Sequence, residues 1–202
     1  MTLPKARLLL LAFSLVVMMS LAGCTGKSPK SDFYTLGATP AQGPAFQLSD
    51  SIAIAVGPVT IPAELDRKQI VTRDGDNRMA VAELSRWAGP LQDNIAAVLT
   101  ANLTTLLGTE KVAPHYRESL FPFTHQVVLN INRFDGHPAG EVLLDVTWSV
   151  KQKGQSAPLI VRHSEIRKPV TTPDYTGLVA TKSSALSDIS LQISEAFINL
   201  AP

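Results

Sequence analysis

Hydrophobic and polar positions alternate most cleanly in the middle of the chain. Val142, Leu144, Val146, Trp148 and Val150 interleave with Asp145, Thr147, Ser149 and Lys151, the two-residue period of a strand with one face buried and the other solvated. Val127, Leu129 and Ile131 alternate in the same way, and residues 159–166 form a third apolar run after a turn at Lys153-Gly154. Three consecutive strands with short connections predict an antiparallel meander. Residues 51–61 read differently. Ile52, Ile54 and Val56 occupy one face and Ala53, Ala55 and Gly57 the other, so this strand is covered on both sides and belongs in the interior of a sheet. Shorter strands are expected at residues 33–36, 69–72 and 79–83. The last two are joined by a turn at Asp74-Gly75-Asp76-Asn77, and a linker bearing Pro and Gly spans residues 37–44.

The period then changes to 3.6. Leu91, Ile95, Val98, Leu99, Leu103 and Leu106 recur at three- and four-residue steps, which places them on one helical face. Pro90 suits a first helical position, Asp93 suits the positive end of the helix, and Gly108 suits the stop. A second helix is expected over residues 175–200, with Leu178, Val179, Leu186, Ile189, Ile193, Phe197 and Leu200 as its buried stripe. Together these elements predict one α/β domain over residues 33–202: a mixed β-sheet containing an antiparallel meander, flanked by two long helices.

The N-terminus follows another logic. Lys5 and Arg7 precede an apolar run that ends near Met19, and small residues follow, the layout of a secretory signal over residues 1–23. The run is short for a membrane span, which needs about 20 apolar residues. Leu21-Ala22-Gly23-Cys24 resembles the bacterial lipobox. Cys24 is the one cysteine of the chain, and the resemblance implies S-diacylglycerol and an N-acyl chain (palmitate) on it. Two or more chains make a stable anchor where one is marginal. Thr25, where Asp would retain a lipoprotein in the inner membrane, implies the periplasmic face of the outer membrane. Residues 24–32 read as the lipidated end and a polar, aperiodic tether. No internal disulfide is open to a domain without a second cysteine, so its core alone must hold it.

Cys24 to Pro202 span 179 residues, enough for a full-sized core. The leader carries Lys5 and Arg7 and no acid, so the net charge of +1 becomes −1 without it. Its charges are interspersed, and no basic face points to a nucleic-acid partner. Catalytic signatures are missing too: there is no Gly-x-Ser-x-Gly, His-Glu-x-x-His, phosphate-binding glycine loop or Cys-x-x-Cys. His115, His125, His137 and His163 have no metal-ligand spacing. They read as surface or loop histidines, His163 with Arg162 and Glu165 as surface neighbours. Asp66, Asp74, Asp76, Glu83 and Asp93 are scattered over loops and helix ends. No cofactor, metal or enzymatic activity is expected.

Two polar-rich segments carry the candidate contacts. Residues 83–91 place Arg86 and Trp87 just before a helix; such residues are frequent interface anchors. Trp87 is open to two roles, a partner contact or a plug at the sheet–helix junction, and Arg86 to a contact or a local ion pair. Residues 65–73 place Arg67 and Arg73 around the start of a strand, either as contacts or as solvated cations of a loop.

The lipobox, Phe33-Tyr34-Thr35-Leu36, Leu65-Asp66-Arg67, Gln69-Ile70-Val71-Thr72-Arg73, Arg86-Trp87-Ala88, Pro90-Leu91 and Arg133-Phe134-Asp135-Gly136 together resemble, in order and spacing, the ABC-type transport auxiliary lipoproteins of the PqiC/YmbA group. Lys68 stands where that pattern commonly has Pro, and Gly89 where it commonly has Glu. The resemblance implies a compact α/β sandwich and a non-enzymatic docking subunit of an intermembrane lipid transport system that supports envelope integrity. Its implied partner is a mammalian-cell-entry (MCE) domain membrane protein; reception of the end of that partner's tunnel, with a homo-oligomeric ring as one form of the assembly, is the expectation built on it. The alternative is a stand-alone envelope lipoprotein that scaffolds or pilots another assembly; a periplasmic enzyme or small-ligand binder is the remaining reading. Substituting Cys24→Ala should leave the domain folded while moving the protein out of the membrane fraction. Cell fractionation checks this, and continued membrane retention would count against anchoring at Cys24.

Overall fold

The computed structural model describes residues 29–39, 47–75, 77–117 and 120–200. Its elements run β1 (Asp32–Tyr34), β2 (Ile54–Thr60), β3 (Gln69–Arg73), β4 (Met79–Trp87), α1 (Leu91–Leu107), β5 (Val112–Pro114), a 3-10 turn (His115–Arg117), β6 (His125–Gly136), β7 (Glu141–Gln152), β8 (Ile160–Pro169) and α2 (Tyr175–Leu200). The signal segment, Cys24 and most of the tether lie outside the described residues, as do Asp76 of the β3–β4 turn and residues 40–44 of the linker. The described residues from Ser31 onward form one compact unit.

The strands divide between two sheets, a finer arrangement than the periodicity resolves. One is five-stranded in the order β5-β2-β6-β7-β8, and the other is three-stranded in the order β1-β4-β3. β6, β7 and β8 make the expected antiparallel meander. β2 runs parallel to both its neighbours, β5 and β6, and Ala53 to Gly57 are buried without a break. That fits a strand covered on two faces and both edges.

The main core lies between the five-stranded sheet and the two helices. Val127, Leu129, Val146, Trp148 and Val150 of the sheet join Ile95, Leu99 and Leu103 of α1 and Leu186, Ile189 and Ile193 of α2 in one apolar cluster. α1 begins at Leu91, one residue after the expected start, with Pro90 as an extended cap at ψ 133°. It ends at Gly108, where φ is 58°; this left-handed position favours glycine. Asp174 accepts a 2.7 Å bond from the Gly177 amide and so caps the start of α2.

α2 is buried well beyond its expected stripe. Thr181, Ser183, Ser187, Ser190 and Ser194 are inside. The hydroxyls of Thr181, Ser183 and Ser190 donate to carbonyls four residues earlier, which satisfies them within their own helix. Asn102 of α1 donates to Ser190 at 3.2 Å and ties the two helices together.

One side chain of α2 departs most from expectation. Lys182 is 1% exposed. Its Nζ donates to the carbonyl of Phe134 and stands 4.2 Å from the centroid of the Phe134 ring, an arrangement in which the π face supports the cation. Burial pushes this ammonium down from 10.5 to about 7, against an opposing pull from Asp135. The unfolded chain therefore holds the proton at pH values where the folded protein has released it, and stability rises with pH from about 7 towards 10.5 and is flat below. Urea unfolding should show a gain between pH 7 and 9 with a slope of up to about 1.4 kcal/mol per pH unit. In Lys182→Met that slope should disappear; an equal slope in the variant would assign the titration to another group.

Candidate functional site

A groove forms where β1, the turn before β3 and the end of β4 meet. The turn that precedes β3 is closed by the amides of Leu65, Asp66 and Arg67, bonded to the carbonyls of Pro62, Ala63 and Leu65. Leu65 is thereby pinned in the core, while Asp66, Arg67 and Lys68 turn outward. The Lys68 carbonyl accepts a 2.7 Å bond from the Trp87 amide, and the Tyr34 carbonyl a 2.8 Å bond from the Ala88 amide. These bonds bring β1, the turn and the end of β4 around one groove of about 530 Å³, lined by Phe33, Asp66, Arg67, Lys68, Trp87, Ala88, Gly89 and Pro90. Asn94 donates to the Pro90 carbonyl and accepts from Thr35 at 2.6 Å, which ties the chain after β1 to the start of α1.

Four residues were expected at contacts, and the structure separates them. Arg67 is exposed on the groove. Trp87 is 4% exposed and belongs to the core cluster; only its edge reaches the groove. It plugs the junction of sheet and helix, because in β4 it alternates with Arg86 and so faces inward. Arg86 lies beside Phe33 and Gln69 in the strand register. It is half-buried, with its Nε donating to the Glu83 carbonyl at 3.2 Å.

Arg73 is turned elsewhere, away from the groove and towards β6. Its side chain is 24% exposed and its Nε meets Asp135 at 2.9 Å. Asp135 also receives Arg133, with Nη2 at 3.1 Å and Nε at 3.3 Å. A register shift between Ile131 and Arg133 creates this cluster. Before it, odd-numbered residues of β6 face the helices; after it, Phe134 faces them and Arg133 and Asp135 face the opposite side. One extra residue in a strand changes its parity in this way. β3 packs against this end of β6, so the Arg73–Asp135 pair joins the two sheets. Gly136 permits the tight hairpin that follows, since a Cβ there would lie 2.6 Å from the Glu141 carbonyl oxygen.

Asp135, Arg133 and Lys182 went unnoticed as a unit in the linear pattern. Lys182 had a readable signal, because it falls at a four-residue step between Leu178 and Leu186 on the apolar stripe. The histidines are also more structured than expected. His163 bonds Asp145 at 2.8 Å rather than its strand neighbours. His125 packs edge-on to Phe197 at 5.8 Å, and burial lowers its pKa. Among the described residues no group of three or more His, Cys, Asp or Glu could hold a metal ion. Among them, too, no helix is long and apolar enough to cross a membrane.

The described unit is an α/β fold in which two long helices pack on a five-stranded sheet and a three-stranded sheet lies beside it. Residues 34–194 match the model of the ABC-type transport auxiliary lipoprotein component, and the chain belongs to that family. It is similar to the intermembrane transport lipoprotein PqiC of Escherichia coli (strain K12), 23% identical over 180 residues, which cover 89% of this chain and 93% of that protein. The protein of the same name from Shigella flexneri matches to the same extent. Two solved structures share the fold, each with a TM-score of 0.69. One is an uncharacterized protein, 21% identical, covering 83% of this chain and 99% of that one; the other is a Xanthomonas campestris protein, 14% identical, covering 81% and 93%.

Because the nearly buried Asp135 carboxylate joins the two sheets through Arg73 and also holds Arg133, Asp135→Ala should destabilise the protein by about 1–3 kcal/mol. Urea denaturation at neutral pH measures the loss, and a change below 1 kcal/mol would show that the pair is incidental to the junction.

Proposed function

We propose that this transport auxiliary lipoprotein is a non-enzymatic docking subunit. Acyl chains on Cys24 hold it at the periplasmic face of the outer membrane, and its folded unit engages an MCE-domain protein reaching across from the inner membrane. The observation that best supports a docking role is the open edge of β4. β1 pairs only with Ser85, Arg86 and Trp87, and no described strand covers residues 79–84 on that side. Ala80, Val81, Glu83 and Leu84 are exposed there, Val81 and Leu84 at about 40% each. A largely apolar edge, with Glu83 as its one charged residue and main-chain groups that no described strand pairs, is what a protein ordinarily shields, and it offers a partner both backbone hydrogen bonds and apolar area. Arg86, at the base of this arm, is retained as a contact candidate.

A domain of this size commits its large apolar residues to its own core, so it suits reception of lipid delivered by a partner better than enclosure of a lipid path. Family membership and similarity to an intermembrane transport lipoprotein agree with this reading. Photocrosslinking probes at Leu84 and Arg86, in cells, should capture the MCE-domain partner, whereas a probe at Thr147 on the solvated face of β7 should not. Capture of a different envelope assembly, with lipid distribution unchanged on deletion, would favour the scaffold or pilot role instead.

A further inference from the structure

The groove at the opposite end of β4 has features that docking on an MCE-domain protein does not require. Phe33 is 66% exposed, the highest value among the exposed large hydrophobic residues described. It stands at the rim of an apolar floor made by Ala88, Gly89, Pro90 and the edge of Trp87. Across the groove Arg67 and Lys68 are exposed and make no ion pair among the described residues, and Asp66 is the one acid in the lining. An exposed ring beside free cations is an amphipathic surface. It matches the layering of a phospholipid leaflet, where phosphates lie above acyl carbons.

Position points to the same occupant. Phe33 follows Cys24 by nine residues, a distance that an extended chain spans in at most about 30 Å. Whatever path the tether takes, a lipid on Cys24 keeps this groove close to the bilayer. β4 then leads away from it. From Trp87 to Met79 the strand extends over about 27 Å at ~3.4 Å per residue, so the open edge proposed for docking begins where the groove ends.

We infer that the groove bounded by Phe33, Arg67, Lys68 and Pro90 is a contact surface for the phospholipid bilayer. Phe33 enters the boundary between headgroups and acyl chains, and Arg67 and Lys68 meet lipid phosphates. The inference rests on the anchoring part of the proposed function and is independent of the docking part. Lipid on Cys24 alone would leave the domain free to tumble on its tether. The second contact orients it, with the β4 arm directed into the periplasm.

The test uses the full lipidated protein, in which Cys24 is blocked by its lipid. A single new cysteine, Ala88→Cys in the groove or Val81→Cys on the arm, carries an environment-sensitive fluorophore. Each protein is reconstituted on vesicles of phosphatidylethanolamine and phosphatidylglycerol containing acyl-brominated phosphatidylcholine. Bromine should quench the Ala88 site at least threefold more than the Val81 site. Adding Phe33→Ser with Arg67→Glu and Lys68→Glu should bring the Ala88 site to the Val81 level, with far-ultraviolet circular dichroism and the thermal midpoint unchanged. Equal quenching at both sites, on protein that floats with the vesicles, would overturn the membrane contact while leaving the anchor and the docking role intact. The same holds if the Ala88 label is shielded by a second copy of the chain. Failure to float at all would overturn the anchoring reading and this inference with it.

Discussion

A carboxylate that cannot escape to water organises this fold. Asp135 is held by Arg73 and Arg133 on one side of the sheet, while Lys182 lies behind it among the helices and feels its charge. Burying Asp135 and Lys182 is costly, and hydrophobic replacements of similar shape often do as well for stability. What the cluster supplies here is registration. The three groups besides Arg133 come from β3, β6 and α2: Arg73 pairs with Asp135 directly, and Lys182 is bonded to the neighbouring Phe134 carbonyl, so the three elements are fixed against one another at this point. Apolar contacts alone tolerate small slides between layers; ion pairs of fixed geometry do not.

The arrangement of β4 depends on that registration. Its partner β3 is bonded to the large sheet through Arg73, and β1 closes its other side only at the last three residues. The strand is thus held at one end and left open along the rest. Holding at that end comes from Trp87, whose burial beneath the start of α1 explains why a residue type common at interfaces serves here as a wedge. Two surfaces of different chemistry follow from one strand: a cationic groove with an apolar floor where the strand is fixed, and a largely apolar backbone edge with a single acid, Glu83, where it is not.

Most of the secondary structure was legible because burial on one face writes itself into the sequence as a period. The meander was plain from Val142 to Val150, and α1 from Leu91 to Leu106, with Gly108 as its stop. The division into two sheets was not, because pairing between distant strands leaves no local mark. β4 was read short, ending at Glu83, since Leu84 to Trp87 alternate only weakly and their partner β1 is three residues long. Among the candidate site residues, Arg67 lay where a surface cation was expected. Trp87 was open to a contact or a plug at the sheet–helix junction, and the direction of its side chain, set by strand parity, makes it the plug. Lys182 was overlooked because a lysine amid a helical stripe reads as an interruption of the pattern, when it is in fact as deeply buried as its apolar neighbours.

The register shift between Ile131 and Arg133 also limits how the chain can vary over time. Loops such as the one after β7 can gain or lose residues at small cost in closure entropy. A single residue lost at the shift would exchange the two faces of β6 beyond it, sending Phe134 outward and the Asp135 carboxylate into hydrocarbon. The length of this strand is therefore under stricter selection than the identity of most residues in it. Relatives that have drifted far in sequence should still keep the same count of residues across that point.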